Sequence, residues 1–137
     1  MSDKFDFKFE LGENELARLV EILPNEGVVV LRGDLASGKT TLVKAIVAAR
    51  GKSAPVTSPT FSLMHDYGRI YHYDLYRAGF DEIVQNGLIE NFFEEGLHLV
   101  EWGDERLIKW LAKYEIPVLV VSISGAGEKR TYEVKNA

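Results

Sequence analysis

Residues 31–41 read LRGDLASGKTT, from Leu31 through Gly33, Gly38, Lys39 and Thr40 to Thr41. Glycine, four residues, then Gly-Lys-Thr is the spacing of a P-loop. Anionic phosphates are held where several backbone N–H groups converge, and a glycine-rich turn lets the main chain curl closely around them. Gly33 and Gly38 are the pivots. Lys39 reaches the β- and γ-phosphates, the Thr40 hydroxyl serves Mg²⁺, and the helix that follows points its positive end at the pyrophosphate. The candidate nucleotide contacts are therefore Gly33, Asp34, Leu35, Ala36, Ser37, Gly38, Lys39, Thr40 and Thr41.

The flanks agree with that reading. GVVVL, residues 27–31, is a short β-branched run suited to a buried strand. Leu42, Val43, Ile46 and Val47 recur at helical spacing, and Gly51 is a natural C-terminal stop. Strand, glycine-rich loop and helix in this order predict a nucleotide-binding α/β fold.

At 137 residues, one domain spanning 1–137 is expected, large enough to bury a core without staples. With 46% hydrophobic and 27% charged residues the composition is that of an ordinary globular protein. Sixteen basic against twenty-one acidic residues give a net charge of −5, and no basic run is visible, so a nucleic-acid role is expected to run through a partner. The chain has no cysteine, which excludes disulfides, thiolate chemistry and Cys-based zinc sites. The opening MSDKFDFKFE is neither a signal peptide nor a targeting presequence. Apolar runs reach about five residues against the roughly 20 needed to span a bilayer. A cytoplasmic protein without a membrane partner is the expectation.

Elsewhere, KFDFKFEL alternates at period two as an edge strand, and Leu16, Leu19, Val20 and Leu23 form a helical stripe ending near Pro24. SAPVTSPTF, with two prolines and no periodicity, is a loop. FSLMHDYGRIYHYDLYR reads as an antiparallel hairpin turning at Asp66 to Gly68, and DEIVQNGLIENFFEEG as one or two short helices broken at Gly87. LHLVEW is a third buried strand, GDERLIKWLAKY an amphipathic helix, IPVLVVSI a strand, and RTYEV closes a C-terminal hairpin. The sum is an α/β three-layer sandwich whose sheet is mixed, mainly parallel at its centre, with antiparallel hairpins.

Nucleotide chemistry also needs a carboxylate at the end of a buried strand to serve the Mg²⁺, and a group that orients water. Asp74 ends IYHYD and Glu101 ends LHLVE. Thr60, in the SPTF stretch, is a third candidate, with a γ-phosphate contact and a turn-capping hydroxyl as its two readings. His65, His72 and His98 form no metal pattern, and the last two read as partly buried structural histidines. Trp102 is a candidate to pack near the nucleotide, against a core role. Arg130, at the start of the last strand, is the candidate for the adenine face, against a solvated edge-strand arginine. A guanine-reading Asn-Lys-x-Asp is absent, which favours ATP.

Four motifs stand in order: GDLASGKTT, SPTFSL, HYDLYR and VEWGDE. Together they resemble the TsaE family of small bacterial P-loop ATPases in tRNA threonylcarbamoyladenosine biosynthesis, and the likeness covers nearly the whole chain. It implies a slow Mg²⁺-dependent ATPase that works with TsaD and TsaB and meets tRNA only through that complex. The modified base is the adenosine beside the anticodon in tRNAs reading A-starting codons. It also implies that Glu101 joins Thr40 at Mg²⁺ and that Asp74 and Thr60 act near the γ-phosphate. One departure is Ala36-Ser37 where the family usually has Gly-Ala; a left-handed backbone at Ala36 would cost about 1 kcal/mol. Two other readings share the cradle, a nucleotide-dependent docking switch without useful turnover and a small-molecule kinase. The latter is disfavoured because the arginines are scattered and no insertion is long enough for a lid.

Overall fold

A computed structural model describes residues 5–34, 37–51, 63–125 and 127–137. Seven strands form one sheet: β1 (Asp6–Gly12), β2 (Gly27–Arg32), β3 (Met64–Asp66), β4 (Ile70–Asp74), β5 (Leu97–Glu101), β6 (Val118–Ser124) and β7 (Lys129–Asn136). Their order is β1-β7-β6-β2-β5-β4-β3. The central four, β6-β2-β5-β4, pair in parallel, whereas β1 with β7, β7 with β6, and β3 with β4 are antiparallel. The parallel strands are almost continuously apolar because helices cover both faces.

Helices α1 (Ala17–Val20) and α2 (Lys39–Ala49) pack on one face, where Val29, Leu31, Leu99 and Val121 meet Leu42, Val43, Ile46 and Val47. On the other face α3 (Phe80–Gln85), a 3-10 segment at Leu88–Phe93 and α4 (Glu105–Lys113) cover Val28, Val30, Tyr73 and Val100. This is the three-layer arrangement expected from the alternation of strands and helices.

Local chemistry explains the boundaries. Helix α2 closes with the Gly51 N–H bonded to the Ala48 carbonyl, and Gly51 adopts the left-handed φ of 75° that ends helices. Helix α4 is capped by Asp104, whose carboxylate accepts from the Leu107 N–H at 3.0 Å. The Leu16, Leu19, Val20, Leu23 stripe is buried as expected, but regular helix is confined to Ala17–Val20. A 3-10 turn at Glu13–Glu15 precedes it, and i to i+3 bonds from Ile22 and Leu23 tighten its exit before Pro24. The pair of short helices expected over 81–96 splits at Gly87.

One expectation is corrected. Strand β7 is not an edge, because β1 returns across the whole chain to pair with it, Asp6 opposite Lys135 and Leu11 opposite Arg130. Arg130 therefore lies inside the sheet, and the edge reading falls. Leu35, Ala36 and Thr60, with the SPTF stretch, lie outside the described residues.

Candidate functional site

The carboxyl ends of β2, β4 and β5 deliver the polar groups, as the crevice rule for open α/β sheets requires. Strand β2 feeds Gly33, and Gly38 is the N-cap of α2, with φ 105° and ψ 17°. That left-handed backbone suits glycine. At Gly33 the constraint is space: a Cβ there would fall 2.5 Å from Ser37 Oγ and 2.9 Å from the Ile123 carbonyl. Both motif glycines thus have a local reason to be glycine.

Lys39 is 5% exposed and bends over the loop that precedes it. Its Nζ donates to the carbonyls of Gly33 at 2.6 Å and Asp34 at 2.9 Å, and stands 4.2 Å from the centre of the Trp102 ring. Burial pushes the Lys39 pKa down, opposed by the negative charges of Glu101, Asp34 and Asp74. Trp102 holds a φ of 65°, uncommon for a side chain of its size, and its ring meets Tyr76 at 4.9 Å.

Register brings the carboxylates together. Strands β4 and β5 run parallel with Asp74 opposite Glu101. Alternation along each strand places Ile70, His72 and Asp74, and Leu97, Leu99 and Glu101, toward the α2 face. Glu101, 4% exposed, has Oε2 3.4 Å from the Thr40 hydroxyl and 2.5 Å from His72 Nε2. Asp74 accepts from the Tyr76 N–H at 3.1 Å, which fixes its carboxylate at the strand end.

These groups open onto one cleft of about 480 Å³. Of the residues singled out from sequence, it brings together Ser37, Gly38, Lys39, Thr40, Thr41, Asp74, Glu101, Trp102 and Arg130. Gly33 and Asp34 stand behind it, contributing the carbonyls that hold Lys39. Arg130 shares the far wall with residues that sequence reading missed, Leu11, Glu13, Gly127, Glu128 and Tyr132, and Tyr76, also missed, packs beside Trp102. Most come from the two ends of the chain and meet through the pairing of β1 with β7. The local signal for Tyr76 is its place two residues after Asp74. For His72 the missed role is its contact with Glu101, and the histidine, expected to be partly buried, is fully so.

Thr40 and Glu101 supply hard oxygen donors beside a lysine, a set that fits Mg²⁺ shared with phosphate oxygens. Among the described residues no group of three or more His, Cys, Asp or Glu is arranged to hold a metal alone. Among the described residues no helix is long and apolar enough to cross a membrane.

Comparison with known proteins follows the same lines. The family model described as threonylcarbamoyl adenosine biosynthesis protein TsaE matches residues 10–132. The tRNA threonylcarbamoyladenosine biosynthesis protein TsaE of Treponema pallidum is 39% identical over 101 residues, covering 71% of this chain and 74% of that protein. Its counterpart in Bacillus subtilis is 35% identical over 119 residues, 83% of this chain and 73% of that protein. The crystal structure of YdiB from Bacillus subtilis superposes with a TM-score of 0.68 at 25% identity, covering 100% of this chain and 90% of that one.

Proposed function

The chain belongs to the TsaE family of threonylcarbamoyl adenosine biosynthesis proteins, and from that premise we propose that it binds ATP with Mg²⁺ and hydrolyses it in support of that tRNA modification. The observation that carries the reading is the convergence of Lys39, Thr40, Asp74 and Glu101 on one cleft, from three separate elements.

Each group has a task set by its chemistry. The first turn of α2 offers N–H groups and the positive end of its dipole to a polyphosphate. Lys39, held in place by two carbonyls, adds a positive charge whose effect is large because it is desolvated. Thr40 and Glu101 hold the Mg²⁺, which when bound neutralises charge on the phosphate oxygens. Asp74, level with Glu101 and anchored by the Tyr76 amide, orients the attacking water. Arg130 and Tyr132 line the far wall, where the adenine is read. The partners on this reading are TsaD and TsaB, with tRNA reached only through them, in the cytoplasm.

The test is nucleotide titration and ATP turnover by the chain alone and with TsaD and TsaB. Lys39→Ala is expected to abolish binding of a labelled ATP analogue. Asp74→Ala and Glu101→Ala are expected to retain binding and lose hydrolysis. Equal affinity in all three variants would undo the assignment, and no turnover with or without partners would leave a docking switch.

A further inference from the structure

Behind the cleft, His72 has no place in the chemistry described so far. It does not line the cavity, and it is 0% exposed. In the β4–β5 register it sits opposite Leu99, one alternation step behind the level shared by Asp74 and Glu101. From there its Nε2 lies 2.5 Å from Glu101 Oε2. An ionised carboxylate only accepts, so Nε2–H is the donor. The other ring nitrogen, Nδ1, is buried with no hydrogen-bond partner among the described residues. An imidazole half-satisfied in the core is a penalty that an apolar ring at this position would avoid.

What the imidazole supplies is restraint. Glu101 has three rotatable side-chain bonds and an ammonium nearby, since the Glu101 charge acts on Lys39. Yet Lys39 donates to Gly33 and Asp34 carbonyls, and Oε2 of Glu101 stays between His72 and the Thr40 hydroxyl, 3.4 Å away. We propose that His72 is a positioning residue, whose Nε2–H tethers the Glu101 carboxylate beside Thr40 so that the cation site is assembled before the cation arrives. This rests on the reading of Thr40 and Glu101 as the Mg²⁺ ligands. Second-layer partners of metal ligands carry this work generally, and their loss costs about 10- to 100-fold in metal affinity.

The experiment compares binding of a fluorescent ATP analogue in Mg²⁺ and in EDTA, with thermal unfolding of each variant alongside. His72→Phe keeps a ring and removes the donor; His72→Gln restores an N–H at similar reach. The expected result is a Mg²⁺ requirement raised about 10- to 100-fold in His72→Phe, unchanged affinity in EDTA, and substantial recovery in His72→Gln. A full Mg²⁺ effect in His72→Phe, with that effect lost in Glu101→Gln, would overturn the role of His72 and leave the ligand assignment standing. No Mg²⁺ effect in the unmodified protein would overturn both. If His72→Phe does not fold, the unmodified protein decides by nitrogen NMR of the His72 ring. The Nε2–H tautomer, with a resonance that moves when Mg²⁺ is added to the nucleotide-bound chain, is expected; an Nδ1–H tautomer or an unmoved resonance would overturn the proposal.

Discussion

His72 and Tyr73 are neighbours in sequence and face opposite sides of the sheet, and the polar groups around them differ in kind. On the α3 and α4 side, Asn91 Nδ2 donates to Tyr73 Oη at 2.7 Å, Tyr73 bonds His98 Nδ1 at 2.6 Å, and His98 Nε2 lies 2.9 Å from the Glu94 carbonyl. A carbonyl only accepts, so Nε2–H donates, Nδ1 accepts from the tyrosine, and each link finds its complement. Aromatic packing closes the chain, with Phe92 4.5 Å from Tyr73 and Tyr71 4.7 Å from His98 between ring centres. On the α2 side, His72 and Thr40 converge on one carboxylate oxygen of Glu101, and His72 Nδ1 has no partner among the described residues. A closed network fastens the 3-10 segment to the sheet. On the proposed reading the incomplete one, whose Thr40 and Glu101 open on a cleft, is poised for a ligand.

Disturbing each side separately tests that division. The largest effect is expected on the open side, from Gly33→Ala, whose new methyl group would overlap Ser37 Oγ and the Ile123 carbonyl. Taken at the top of the about 1–3 kcal/mol range for overpacking, the change weakens nucleotide binding about 100-fold, read by titration. On the closed side, Tyr73→Phe leaves Asn91 and His98 each short of a partner and is expected to lower unfolding free energy by about 2 kcal/mol in urea. Its nucleotide affinity should not change; an equal loss there would erase the distinction. Asp104→Ala, which removes the cap of α4, should cost about 1 kcal/mol by the same measurement and leave the cleft untouched.

The smallest effect is a pH dependence. Burial holds the His98 pKa below its ordinary 6.5, opposed by its contacts with Glu94. As pH falls below 6.5 the unfolded chain takes up a proton that the native imidazole refuses, so stability is full above that value and declines beneath it. Urea midpoints on either side of pH 6.5 should show this decline, and His98→Gln should flatten it. An unchanged slope in that variant would assign the loss to another group.

The end of the cleft proposed to take phosphate was legible as a cluster because its determinants are local. The glycine spacing, the β-branched run before it and the carboxylates ending IYHYD and LHLVE each lie within a few residues, and period-two alternation fixes which way they face. Local pattern also gave the three layers and the parallel centre. It overstated the first helix, since a buried stripe of leucines is compatible with a single turn flanked by 3-10 bonds. The contact of His72 with Glu101 was not legible, because it depends on the register of two strands about 30 residues apart, which no window of sequence contains. The far wall was hidden for the same reason at greater range, and the edge-strand alternative for Arg130 falls only because β1 covers β7.

That pairing has a consequence for how the molecule is made. The groups proposed to grip phosphate are all synthesised by residue 102, whereas Arg130 and Tyr132 follow behind them, and β1 waits unpaired until β7 is made. A nascent chain that has reached only α4 would lack one side of its cleft, so a ligand that needs both sides would favour the folded state only once β7 has joined β1.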